Sequence, residues 1–163
     1  MHIRLLTEHD WQTWKALRLE ALKNVPEAFY SSYEEESTLA DEVFREILLN
    51  NAIFGAFDGD MLIGCMAMGI FTGLKRKHQG VVWSTYVKPQ YRGKKVGDAL
   101  LEAVINHAKT TVKQLQLSAH TENQSALRLY QRHGFEVYGT EPRAIKVGDR
   151  FYDECLMMQI FDK

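Results

Sequence analysis

Apolar and polar positions alternate with different periods along the chain, and the changes of period mark its elements. His2 to Leu6 alternates weakly and predicts a short strand. Thr7, with Asp10 three residues on, offers an N-cap and a favourable first-turn charge. Trp11, Trp14, Leu17, Ala21 and Leu22 recur at helical spacing until Pro26 ends the pattern. A second helical stretch covers about Leu39 to Leu49, with Val43, Ile47 and Leu48 on one face. Between these helices the aromatic and acidic run Glu27 to Glu36, EAFYSSYEEE, has no clean period and fits either a short helix or a loop.

Ala52 to Phe57, then Asp58-Gly59-Asp60, then Met61 to Phe71 reads as strand, Asp-Gly turn and strand, with Gly64 and Gly69 marking bulges or close approaches. A basic connection holds Lys75, Arg76, Lys77 and His78, most simply a solvated edge, and the β-branched, aromatic run Val81 to Val87 follows it, ended by Lys88-Pro89. The next helix buries Val96, Ala99, Leu100, Ala103, Val104 and Ala108, and Lys113 to Ala119 resumes strand alternation. Strand, helix, strand implies a parallel crossover, right-handed in nearly all cases. Asn123 to His133 predicts a shorter helix capped by Gly134. Phe135 to Tyr138 and Arg150 to Phe161 predict two last strands, joined by a loop containing Glu141-Pro142-Arg143 and Val147-Gly148-Asp149. The expected fold class is α+β in three layers, a single mixed, mostly antiparallel sheet of about seven strands with helices on both faces, and residues 1–163 form one domain.

Composition narrows the partners. Twenty Lys and Arg against 21 Asp and Glu give a formal charge of -1, so no global basic field points to nucleic acid. The longest uncharged run, Met61 to Leu74, has 14 residues and is too short to span a membrane. The N-terminal stretch carries charge from Arg4 and lacks the apolar core of a signal peptide, so the expected location is the cytoplasm. Cys65 and Cys155 stand in apolar strands without metal-ligand spacing, which predicts buried thiols and no metal. Monomer and homodimer are both compatible with the sequence.

Residues 87 to 101, VKPQYRGKKVGDALL, pack Arg92, Gly93, Lys94, Lys95, Val96 and Gly97 into the turn that opens the long helix. A helix starting inside a glycine-containing turn presents free N–H groups and the positive end of its dipole, which suits phosphate. No Ser or Thr follows the Gly-Lys as a Walker loop requires, and the dinucleotide pattern GxGxxG is absent.

Arg92-Gly93-Lys94-Lys95-Val96-Gly97 resembles the acetyl-CoA signature of the GNAT family of N-acetyltransferases. Asn123-Gln124-Ser125-Ala126-Leu127-Arg128-Leu129-Tyr130, running on to Gly134-Phe135, resembles the family's Asn-x-x-Ala-x-x-Leu-Tyr helix. Lys95 departs from the pattern, standing where the first signature glycine is usual, and is tolerated at small cost if its backbone is already helical. The resemblance implies acetyl-CoA as donor and direct transfer to a primary amine of a small molecule or protein. It implies that Tyr86 and Val87 pair with pantetheine through their backbones, that the Val87 N–H meets the thioester carbonyl, and that Asn123 lies near the pantetheine arm. Tyr130 would protonate the departing thiolate.

The base is not evident. Trp83, Ser84 and Thr85 occupy the strand where many relatives carry a glutamate. His120 is a candidate by residue type, and Glu154, Asp153, Glu34 and Glu36 are weaker candidates. Phe29, Tyr30 and Tyr33, beside Glu34 to Glu36, are candidate acceptor contacts, since aromatic faces and carboxylates suit a cationic amine. Two other readings remain open: a non-catalytic acyl-CoA sensor, which the missing strand glutamate supports, and transfer from another acyl-CoA such as succinyl-CoA.

Overall fold

A computed structural model describes residues 1–163. Seven strands form one sheet: β1 (His2–Leu5), β2 (Ala52–Asp58), β3 (Met61–Ile70), β4 (Gln79–Val87), β5 (Gln114–His120), β6 (Glu136–Val147) and β7 (Arg150–Ile160), in the order β1-β2-β3-β4-β5-β7-β6. Every neighbouring pair is antiparallel except β4 with β5. The helices are α1 (Trp11–Asn24), α2 (Tyr33–Glu36), α3 (Asp41–Asn50), α4 (Val96–Thr111) and α5 (Gln124–Arg132).

Two apolar layers flank the sheet. On one side Trp14, Leu17 and Leu22 of α1 meet Phe44 and Leu48 of α3 over Ile53, Cys65 and Ala67. On the other, Leu100, Leu101, Val104 and Ala108 of α4 pack with Tyr130 and Phe135 over Met66, Leu115 and Met157. Thr7 and Asp10 form a complete capping box ahead of α1, across a single 3-10 turn. The run from Glu27 to Glu36 divides: a 3-10 turn at Pro26–Ala28, an extended link through Phe29, then α2 with Ser32 accepting from the Glu35 N–H.

The structure corrects three expectations about elements. Phe44, not Val43, is the fully buried residue of α3, because the larger ring fills the space beside Trp14 at a centroid distance of 6.1 Å. In α4, Leu101 and Ile105 join the buried stripe while Ala99 and Ala103 stay half-buried, so the apolar face is rotated toward the larger side chains. Glu141-Pro142-Arg143 lies inside β6 instead of a loop. The strand runs through to Val147, and the irregularity between Glu141 and Ile145, with Arg143 at φ 53°, absorbs the proline as an edge-strand bulge.

Candidate active site

The parallel ladder between β4 and β5 has only three residue pairs, Gln79–Gln114, Gly80–Leu115 and Val81–Gln116. Beyond Val81 the strands part. The cause is local: two residues of β4, Ser84 and Thr85, are accommodated between the Cys65–Tyr86 and Ala67–Trp83 pairs, and Ser84 takes the left-handed conformation at φ 53°. A bulge bends its strand and strengthens the twist, which turns the end of β4 away from β5. Buried Cys65 donates to the Ser84 carbonyl at 3.3 Å, and burial pushes that thiol up to about 11, so it acts here as a neutral donor.

Past the bulge, Lys88 N donates to the Ile63 carbonyl at 2.8 Å, which turns the preceding Val87 N–H to the opposite edge, the side of the gap. The Val87 carbonyl points the same way and accepts from Arg92 Nε at 2.9 Å. Gly64, paired with Val87, permits the close approach: a Cβ there would lie 3.0 Å from the Tyr86 carbonyl oxygen. Tyr86 is fixed from behind, its hydroxyl donating to Glu20 at 2.8 Å and accepting from Asn24 at 3.3 Å.

The gap opens into a cleft of about 760 Å³ lined by Val87, Arg92, Gly93, Lys95, Val96, Gly97, His120, Asn123 and Tyr130, among others. Gly93 has φ 76° with nothing near where a Cβ would stand. Lys95 is not helical, so the condition for a lysine at small cost does not hold: it is the N-cap of α4 at φ 63°, ψ 22°. A glycine is at ease there, and a lysine is held in the left-handed region at a cost of about 1 kcal/mol. Lys95→Gly should therefore be more stable than Lys95→Ala by about 1 kcal/mol in denaturant melts, the reverse of the order inside a helix.

Asp98, next to Gly97 at the start of α4, accepts from Arg132 at 2.9 Å and meets His133 Nε2 at 2.9 Å. Burial opposes its charge, but His133 and Arg132 outweigh burial and hold the carboxyl below the usual carboxylate range. This clip ties the end of α5 to the beginning of α4 and neutralises the acid nearest the loop. Asn123 caps α5, its Oδ1 accepting from Ala126 N at 3.2 Å, and the residue lines the cleft. Tyr130 is buried on α5 with its ring edge toward Phe135, and burial raises its hydroxyl above the ordinary phenol range, Thr85 acting in the opposite sense.

The donor set fits a diphosphate attached to an extended amide-bearing arm: free N–H groups at a helix start, cations from Arg92 and Lys95, and a sheet edge running into the gap. Residues 12–135 match the acetyltransferase (GNAT) family. The chain belongs to the GNAT acetyltransferases. Among curated GNAT relatives, a spermidine N(1)-acetyltransferase from Thermoplasma acidophilum is 28% identical over 152 residues, covering 86% of this chain and 91% of the relative. A spermine/spermidine N(1)-acetyltransferase from Bacillus subtilis is 31% identical over 113 residues, 66% of this chain and 74% of the relative. In fold, the chain resembles a GNAT acetyltransferase from Streptococcus pneumoniae (TM-score 0.86, 24% identity, 98% of each chain). It likewise resembles yncA of Salmonella typhimurium, solved with its cofactor acetyl-CoA (TM-score 0.86, 20% identity, 100% of this chain and 95% of that one).

The other candidates of this GNAT domain divide by place. Phe29 lines the cleft, stacked under the Arg18 guanidinium at 5.1 Å. Tyr30 exposes its ring but tucks its hydroxyl against Ser118 at 3.2 Å. Tyr33 lies outside the cleft lining, under Lys23. Lys94 is also outside the lining, over the Tyr91 ring. His120 lines the cleft, its Nδ1 buried without a partner. Glu36 is consumed by the buried pair with Arg18, and the Asp153 carboxylate accepts from Arg143 N. No helix is long and apolar enough to cross a membrane. Sequence reasoning passed over Ser118, whose significance depends on the partners that the sheet register brings to it.

Proposed function

We propose that the protein transfers an acetyl group from acetyl-CoA directly to a primary amine, with an aliphatic polyamine as the acceptor class. The observation that carries the donor side is the conjunction of the parted β4 and β5 with the left-handed loop at the start of α4. The acceptor class rests on the spermidine and spermine N(1)-acetyltransferases among the relatives. Acetyl-CoA supplies the activated acyl group. Arg92, Gly93, Lys95, Val96 and Gly97 hold its diphosphate, with Lys94 adding charge from outside the lining, and the backbone of Tyr86 and Val87 extends the sheet to its amides. The outward Val87 N–H donates to the oxyanion that forms on the thioester carbonyl. Tyr130, kept protonated by burial, gives its proton to the leaving sulfur.

Thiol release from acetyl-CoA should be measured with spermidine, spermine, monoamines and a lysine-bearing peptide. Saturable acetylation of polyamines, with peptide and monoamine slower, is the expected result. Tight CoA binding without transfer to any amine would instead make the protein a sensor. Mixed acyl-CoAs with product masses test the choice of donor.

A further inference from the structure

A second cavity of about 110 Å³ lies inside the gap itself, lined by Thr85 on β4, Ser118 and His120 on β5, and Tyr130 on α5. Resting on the reading above, we propose that the proton leaving the acceptor nitrogen passes through the Ser118 hydroxyl to the Glu154 carboxylate, with Tyr30 holding Ser118 in line.

Glu154 lies on β7, 3% exposed, and Ser118 Oγ donates to its Oε1 at 3.2 Å. The Tyr30 hydroxyl is 3.2 Å from the same Oγ. An ionised carboxylate only accepts, so the Ser118 proton points at Glu154 and the Tyr30 proton at Ser118. One lone pair of Ser118 Oγ is left, on a residue that lines the cavity. The chain is thus oriented from the gap toward the carboxylate.

The surroundings of Glu154 suit a proton acceptor. In the sheet it stands directly opposite His120 on β5 and Glu141 on β6. Tyr30 reaches it from the link before α2, while Tyr130 on α5 and neighbouring Cys155 feel its charge. Burial raises its pKa, Glu141 adds to the rise, and Ser118 and Tyr30 oppose it. It makes no ion pair, whereas the other deeply buried charge, Arg18, is matched by Glu36 at 2.8 Å. An unpaired buried carboxyl costs stability, so its retention calls for a use. A carboxyl held above its ordinary range is also a better base near neutrality.

The step balances as follows. The alkyl amine enters as its ammonium form, and one N–H proton passes to Ser118 Oγ as the Ser118 proton passes to Glu154 Oε1. The neutral amine then forms a bond to the thioester carbon and its nitrogen becomes cationic. The C–S bond breaks as the departing sulfur takes the Tyr130 proton, and the Tyr130 phenolate takes the second N–H proton from the new amide nitrogen. Glu154 gives its proton to water, the one net proton released; an amine that arrives neutral skips the first transfer. His120 shares the cavity, but its buried Nδ1 has no partner to which a proton could be handed on.

The test compares kcat/KM against pH for an alkyl amine and for a fluorinated ethylamine that is already neutral at pH 7. Glu154→Gln, nearly isosteric, should cost about 100-fold with the alkyl amine and under about 10-fold with the fluorinated one. It should also lose the acidic limb that reflects Glu154 ionising as pH rises, and leave the KM for acetyl-CoA unchanged. Ser118→Ala, which keeps Glu154 in place, should cost about 10-fold with the same dependence on the amine, and carries the test alone if the Glu154 variant folds poorly. Equal losses with both amines, or an acidic limb that survives in Glu154→Gln and vanishes in His120→Asn, would overturn the proton route while leaving the acetyltransferase reading standing. A wild-type protein that acetylates neither amine nor any polyamine would overturn both.

Discussion

Tyr130→Phe is expected to lower kcat by about 100- to 1,000-fold while leaving acetyl-CoA affinity within about threefold. The hydroxyl sits on a buried ring at the junction of the cleft with the gap, and burial raises its pKa, so the phenol carries its proton across the whole physiological range. Without it the sulfur must leave as a thiolate. A thiol with pKa about 8.5 makes that departure costly but possible, which places the loss below the largest effects known for proton transfer. Packing changes little, because the ring and its edge contact with Phe135 at 6.0 Å remain. Since the pKa is raised, Tyr130 should produce no alkaline fall in the wild-type rate below about pH 10. Steady-state thiol release at saturating donor and acceptor measures the effect, and a kcat within threefold of wild type would remove Tyr130 from the acid role.

Gly97→Glu should weaken CoA binding at least about 100-fold, equivalent to about 2.7 kcal/mol. Gly97 is the second residue of α4 and faces the cleft, where the free N–H groups and the dipole favour an anion. A glutamate there brings its own carboxylate to those donors and repels the diphosphate. The substitution is not sterically free either: a Cβ would meet Leu129 Cδ2 at 3.3 Å, which a flexible side chain can yield. Gly97→Ala isolates that smaller cost and should weaken binding by less than tenfold. Calorimetry on both variants, with circular dichroism to verify the fold, checks the expectation. Unchanged affinity in the glutamate variant would move the diphosphate elsewhere.

The elements were legible because each carries its own local signal. The Asp-Gly hairpin, the glycine stop after α5 and the long apolar stripe of α4 depend on neighbours within a few residues, and the structure has them where the pattern puts them. What the sequence leaves open shares a cause. Whether the backbone of Lys95 is helical is not decided by its neighbours in sequence, and the loop holds it at φ 63°. Pro142 suggested a loop, and only a partner strand shows that an edge strand can carry it through a bulge. In the site, the loop and the Asn123 to Tyr130 helix are contiguous runs and could be recognised as such. The chain from Tyr30 through Ser118 to Glu154 joins residues 88 and 36 positions apart. Its meaning arises from the register of β5 with β7, which no local pattern encodes.

Ser84 at φ 53° and the three-pair ladder beside it have a further consequence for how this protein can be improved. A sheet gains stability by extending its ladders, and here the easiest extension would zip β4 onto β5 past Val81. That gain would close the groove. Selection for heat resistance alone is thus expected to heal this strand and silence the protein, so robustness has to be sought far from Ser84, in the layers around Trp14 and Leu100.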